Sequence, residues 1–371
     1  MSGKKLILHA LGTSGGPVDT KTQGFLFQFD NNFFMVDGGT GLSAIVELFK
    51  KQSLKESKID NISYLYSDFS SNNEEIIAVK SSISKFTSEN LSIFELNESN
   101  FSSNFKGKNV IEKSMDLYSK IQKNFVTHPH FDHISELIIN LPVLYGTGYA
   151  NLKKTIYGSS ICNQYIQEHV LNDKTWPNLV NETASSMYSP EIKFGEIHTN
   201  QQLEVIPGID IIRMNLNHGE CQIENKTCIV QSSCYILLDK RNKHLHLIFG
   251  DCEWDEVNFP LLIGKTHDLI KNSKYKLKTM LIECSSINDE KVTELYGHMN
   301  PNMLCKTLDE FAHILDKEEK VNLCISHIKQ TITLEDPRQV ILHQMKDTMK
   351  KKNLNVYFEL SVLINGLSYQ L

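Results

Sequence analysis

Residues 127–133 read Thr-His-Pro-His-Phe-Asp-His, and His128, His130, Asp132 and His133 among them are potential metal ligands. Neutral imidazoles together with carboxylates suit Zn²⁺ and similar borderline divalent cations. His128 and His130 stand two apart, so on an extended stretch both side chains leave the same face. Asp132 and His133 follow where the chain turns and can address a second ion beside the first. A loop that is merely polar rarely concentrates four such donors in six residues.

A site of this kind also needs donors from distant parts of the chain, and candidates follow in order. His218 comes after the strand-like run 211–216, Asp251 after 246–249, and His327 after 321–326. Each stands just past an apolar stretch, the usual place for a site built on strand ends. Other segments read as the elements that position them. Residues 5–10 predict a buried strand running into the turn Gly12–Gly16, and 24–29 with 33–36 predict a hairpin around Asp30-Asn31-Asn32. Leu42, Ile45, Val46 and Phe49 follow helical spacing. A strand over 123–127 leads into the histidine motif, a helix over 134–140 leads out, and Pro142 ends or kinks it. The Gly12–Gly16 turn has no Gly-Lys-Ser/Thr continuation, so it reads as a tight turn near the site, not a phosphate loop. His244-Leu245-His246 lacks a following Asp-His and reads as ordinary strand or surface residues.

Composition bounds the rest. Hydrophobic residues make up 40% of the 371 and charged ones 22%, ordinary values for a globular protein. No apolar run of about 18 residues predicts a membrane span, and the first residues do not read as a secretory signal. The eight cysteines contain no Cys-x-x-Cys pair, so reduced thiols and a cytoplasmic location are expected. A net charge of −6 argues against a nucleic-acid partner. From about Lys51 to Lys108 the chain turns to Ser, Asn, Lys and Glu, which reads as a polar insertion within a single domain spanning 1–371. Leu171–Pro190 reads as a polar loop over the site and contains Trp176. The run Lys346–Lys352 resembles a solvated helix face.

The 127–133 motif is the signature of the metallo-β-lactamase superfamily. Nearly the whole chain resembles one branch of it, the class II 3′,5′-cyclic-nucleotide phosphodiesterases. The resemblance is carried by Leu11–Pro17, Thr127–His133, Ile282–Ser285, Leu295–Pro301 and Ile325–Lys329. Departures are Phe131 in place of Leu, Glu136 in place of a small residue, and Asn300 in place of Thr.

The resemblance implies a four-layer αββα sandwich of the α/β class and two divalent metal ions. Zn²⁺ suits five histidines and two carboxylates best, with Mn²⁺ or Fe²⁺ as other occupants. His128, His130 and His218 would hold one ion, Asp132, His133 and His327 the other, and Asp251 would bridge. Asp37 would support the metal loop from behind. The implied reaction is hydrolysis of cyclic AMP, and also cyclic GMP, to 5′-monophosphates by a hydroxide held between the ions. Asp132, Glu283 and His298 form the implied catalytic set, with Glu283 orienting His298 as proton donor. Trp176 is a candidate for stacking on the base, although packing under its own loop is the favoured reading. A homodimer is the family's assembly. Alternatives within the fold are an RNA-processing nuclease and a thioester or lactone hydrolase; a non-catalytic scaffold is the alternative outside enzymology.

Overall fold

Alternation along the first strands sets the layering. Leu6, Leu8 and Ala10 face one way with Phe25, Phe27 and Phe29, while Leu11, Leu26, Phe33 and Met35 join a different cluster on the other face. That is the period-2 pattern of a sheet covered on both sides. The computed structural model describes residues 5–16, 21–53, 61–63, 80–82, 85–97, 101–146, 152–180, 191–223, 225–292, 294–329 and 335–371.

In chain order the first elements are β1 (Leu6–Gly12), β2 (Gly24–Phe29), β3 (Asn32–Val36), α1 (Leu42–Ser53), β4 (Asn61–Ser63), β5 (Lys80–Ser82) and β6 (Ser92–Ile93). Next come α2 (Val110–Lys120), β7 (Ile121–Phe125), α3 (Phe131–Asn140), α4 (Val143–Gly146), β8 (Lys153–Gly158), α5 (Ser160–Tyr165) and β9 (Glu191–Glu196). The later part adds β10 (Gln202–Ile206), β11 (Ile209–Ile223), β12 (Lys226–Asp239), β13 (His244–Phe249), α6 (Asn258–Lys271) and β14 (Lys276–Glu283). It ends with α7 (Pro301–Ala312), β15 (Val321–Ser326), α8 (Pro337–Lys351), β16 (Phe358–Val362) and β17 (Ser368–Gln370).

Two large sheets result, ordered β6-β17-β1-β2-β3-β7-β8-β9 and β10-β11-β12-β13-β14-β15-β16. Phe27, Phe34 and Phe125 of the first share a buried cluster with Ile211, Leu237 and Leu281 of the second, so the sheets pack face to face. α1, α2 and α3 cover the outer face of the first sheet through Phe49, Leu117 and Leu137. α6, α7 and α8 cover the second through Leu262, Leu308 and Met345. The order helix, sheet, sheet, helix is the four-layer αββα sandwich. Among the described residues no helix is long and apolar enough to cross a membrane.

Three local departures from the sequence reading bear on function. β11 does not stop before His218 but continues to Ile223, paired with β12, and its register slips between Asn217 and Glu220. His218 therefore sits on a bulge inside a strand, a device that re-aims a side chain. α3 starts at Phe131, which puts Asp132 and His133 in its first turn. In the polar stretch 51–108, residues 54–60, 64–79, 83–84 and 98–100 lie outside those described. Its end nevertheless enters the core, where Phe86, Leu91, Phe101 and Phe105 are buried.

Candidate metal centre

All seven sequence candidates converge where the two sheets meet. His128 and His130 come from the loop after β7, Asp132 and His133 from the start of α3, and His218 from the bulge in β11. Asp251 follows β13 and His327 follows β15. Their ligand atoms form two groups, His128 with His130 and His218, and Asp132 with His133, Asp251 and His327. Within each group all atoms lie within 4.8 Å of one another. Asp251 is central: its Oδ2 lies 3.2 Å from both His133 Nε2 and His327 Nε2. The same oxygen is 3.7 Å from His128 Nε2 and 3.8 Å from His218 Nε2.

The imidazoles are held from behind so that one nitrogen is left for the centre. His133 Nδ1 donates to Asp37 Oδ2 at 2.9 Å. His218 Nδ1 donates to the Gly297 carbonyl at 2.9 Å. The Ser285 hydroxyl donates to Glu283 Oε2 at 2.5 Å and accepts from His327 Nδ1 at 3.0 Å. In each case Nε2 turns inward, the outer-contact arrangement that orients metal-bound histidines. Asp37 is itself fixed by Thr127 N at 2.8 Å and by Gln23 Nε2 at 2.9 Å. Gly15 is required because a Cβ there would lie 2.5 Å from His327 Nδ1. Asp37 and His327 both adopt left-handed backbones, with φ of 57° and 53°. Such conformations cost about 1–3 kcal/mol each and gather at functional sites.

These surroundings fit divalent cations. His133 Nε2 faces His327 Nε2 at 3.1 Å, and His218 Nε2 faces His130 Nδ1 at 3.3 Å. Nitrogen lone pairs that close are tolerable around a shared cation. His128 Nε2 and Asp251 Oδ1 are buried without a hydrogen-bond partner. Burial and neighbouring imidazoles hold His128 well below its ordinary pKa, which keeps it neutral for ligation. At His133 burial opposes protonation, but Asp251 and Asp37 outweigh it and push the pKa well up. The negative charge that attracts a proton there also attracts a metal ion.

Beside the cluster lies a second pair. Glu283 ends β14 and accepts from His298 Nδ1 at 3.1 Å to each oxygen, from Cys252 N at 2.7 Å and from Met299 N at 3.2 Å. Burial alone would lower the His298 pKa, yet Glu283 and Asp251 raise it. Asn300, the departure from Thr, caps α7 by accepting from Met303 N, work either residue can do. Glu136 is likewise structural, its Oε2 accepting from Gly41 N at 2.9 Å and Ser43 N at 3.1 Å at the start of α1.

The site opens into a cavity of about 810 Å³ lined by Gly15, His130, Phe131, Asp132, Ile139, Asp251, His298 and Lys329. Phe131 is 68% exposed and Ile139 55% exposed, so the mouth has an apolar edge. Trp176 is not part of that lining. It packs half-buried against the cluster beneath α1 and α3, on the outer face of the first sheet. Packing thus prevails over stacking for Trp176, because its loop lies on the helical side of that sheet; residues 181–190 of the loop lie outside those described. Ser285 carries no role in the sequence reading, although its place two residues after Glu283 on an extended chain gives the two side chains a shared face.

The family model described as class-II cAMP phosphodiesterases matches residues 34–366. The 3′,5′-cyclic-nucleotide phosphodiesterase 1 of Saccharomyces cerevisiae is 29% identical over 370 residues, covering 96% of each chain. A 3′,5′-cyclic-nucleotide phosphodiesterase of Aliivibrio fischeri is 26% identical over 243 residues, covering 62% of this chain and 66% of its own. The crystal structure of unliganded yeast PDE1 superposes with a TM-score of 0.84 at 26% identity, covering both chains fully. The metallo-β-lactamase fold protein YhfI of Bacillus subtilis shares the fold at a TM-score of 0.53 and 15% identity, covering 99% and 100% of the two chains. The chain belongs to the class-II cAMP phosphodiesterases and is built on the metallo-β-lactamase fold.

Proposed function

We propose that this protein hydrolyses 3′,5′-cyclic nucleotides to nucleoside 5′-monophosphates at a pair of divalent metal ions. The observation that carries the reading is a single buried carboxylate, Asp251, set between two donor groups and within reach of five imidazoles, four of them in those groups and the fifth that of His298. His128, His130 and His218 would hold one ion, Asp132, His133 and His327 would hold the other, and Asp251 would serve both. Zn²⁺ is the ion this donor set suits best. When bound, such a pair neutralises the phosphodiester's charge and lowers the pKa of water enough for attack near neutral pH. Because the donors come from both sheets of one sandwich, we read the hydrolase unit as a single domain.

The chain's own residues supply what remains. Departure of the 3′ oxygen leaves an alkoxide that needs a proton. His298 provides it: Glu283 holds Nδ1 and favours the protonated ring, which leaves Nε2 as the atom that delivers. Lys329 adds positive charge on the cavity wall for the phosphate, and Phe131 with Ile139 offers an apolar edge for the base. Metal-loaded protein assayed on cyclic AMP, cyclic GMP, bis(p-nitrophenyl) phosphate and RNA tests the assignment. Turnover of the cyclic nucleotides to 5′-monophosphates is expected; cleavage of RNA without turnover of cyclic AMP overturns it.

A further inference from the structure

Two of the eight cysteines differ from the rest. Cys162, Cys234, Cys252, Cys284, Cys305 and Cys324 are buried. Burial pushes their thiols up, Cys305 and Cys324 to about 12, so they resist forming the reactive thiolate. Cys221 and Cys228 are partly exposed instead. They stand on the two arms of the β11–β12 hairpin as direct register partners, between the pairs Glu220↔Ile229 and Gln222↔Thr227. Directly opposed residues of antiparallel strands share a face, with Cα atoms about 4.5–5.5 Å apart. A disulfide needs roughly 4.4–6.8 Å between those atoms.

The surroundings leave this pair accessible. β10 pairs with β11 no further than Ile212, and β13 pairs with β12 no nearer than Cys234. Among the described residues, then, neither neighbouring strand extends along the end of the hairpin that carries the two thiols. The same arm carries His218, three positions before Cys221 (221 − 218).

We propose that Cys221 and Cys228 form a reversible intramolecular disulfide, a redox modification site that reacts with low-molecular-weight disulfides such as glutathione disulfide. One cysteine thiolate attacks glutathione disulfide, breaking its S–S bond to give a mixed disulfide and one glutathione. The second cysteine thiolate then attacks the protein sulfur of that mixed disulfide and releases the other glutathione. Two electrons pass from the cysteine pair to glutathione disulfide, and the two thiol protons end on the two glutathione molecules.

The test uses the full-length, metal-loaded protein incubated with glutathione disulfide, quenched with an alkylating reagent and digested without reduction for mass spectrometry. One cross-linked peptide pair joining Cys221 to Cys228 is expected, with the six buried cysteines alkylated only after denaturation. Dithiothreitol restores both thiols. In Cys221→Ser, and in the mirror variant Cys228→Ser, the cross-link disappears and the remaining cysteine carries one glutathione. Stable glutathione adducts on both cysteines without a cross-link, a cross-link between chains, or two thiols that stay free throughout would each overturn the proposal.

Discussion

His298→Ala tests the assignment of acid chemistry to one side chain. His298 Nδ1 lies 3.8 Å from Asp251 Oδ2 and its ring centroid 4.7 Å from that of His218, while the same nitrogen is engaged by Glu283 at 3.1 Å. Removing the ring therefore leaves both donor groups intact and deletes a proton donor, a loss typically of 10²–10⁴-fold. That corresponds to about 2.7–5.4 kcal/mol on the barrier. Steady-state kinetics with cyclic AMP should show kcat falling by that factor while metal analysis of the purified variant stays at the wild-type value. The pH profile adds a second, independent readout. Glu283 and Asp251 raise the pKa of His298 against the lowering effect of burial, so the active protonated form persists above the ordinary histidine range. Rate should fall as pH rises through that raised value. In Glu283→Gln the chief raising charge is gone and burial remains, so the alkaline limb moves to lower pH. The amide also offers one acceptor oxygen to the donors Cys252 N, Met299 N and Ser285 Oγ, so about 1–3 kcal/mol of stability is lost as well. Loss of metal from His298→Ala would make the residue a ligand. An alkaline limb that does not move in Glu283→Gln would remove Glu283 from its orienting role.

Asp251→Asn should lower the metal content below that of wild type, measured by elemental analysis, because this one carboxylate approaches both donor groups; unchanged content would show that it does not bridge. Phe131→Ala should raise KM for cyclic AMP by about 5–150-fold with little change in kcat, the span of the roughly 1–3 kcal/mol that base stacking contributes. Trp176→Ala, in contrast, should lower the melting temperature and leave KM unchanged, since Trp176 packs on the core; a raised KM there would reverse the two assignments. His246 is fully buried with neither ring nitrogen paired, and burial holds its pKa at about 3. The unfolded chain binds this proton near pH 6.5, so the neutral folded histidine costs about 1.4 kcal/mol of stability per pH unit as pH falls below 6.5 toward 3. Denaturant titrations of His246→Leu should show a shallower acid limb than wild type; identical limbs would contradict the buried, neutral assignment.

How much of this was legible in the sequence depended on whether one segment carried its own constraint. The 127–133 motif did, because four donors crowd a short stretch and no packing role accounts for them. β15, ending at Ser326 with His327 just beyond, did too, since a buried parallel strand reads as a continuous apolar run. His218 was found by type and order but misplaced by element. Past Leu216 the two arms of the hairpin satisfy each other's backbone, and that ladder needs no apolar face to announce it. Phe86, Leu91, Phe101 and Phe105 were hidden for the opposite reason: four anchors spread through a polar stretch are diluted by composition, yet each is buried. Trp176 packs on the core, the favoured of its two readings, while Phe131, which the sequence marked only as a departure from Leu, lines the cavity, because an aromatic side chain serves a core and a binding site equally well. Only the side of the sheet on which its loop emerges decides between them. Asp251 was found by its place after an apolar run and given its bridging role only by the resemblance; in the fold it stands among His133, His218 and His327, drawn from α3, β11 and the end of β15. Donor identity is thus a local property that sequence displays, whereas the approach of one carboxylate to both donor groups is a property of the sandwich. Replacing any residue that aims those histidines, such as Asp37 or Ser285, should therefore weaken the metal site without removing a single ligand.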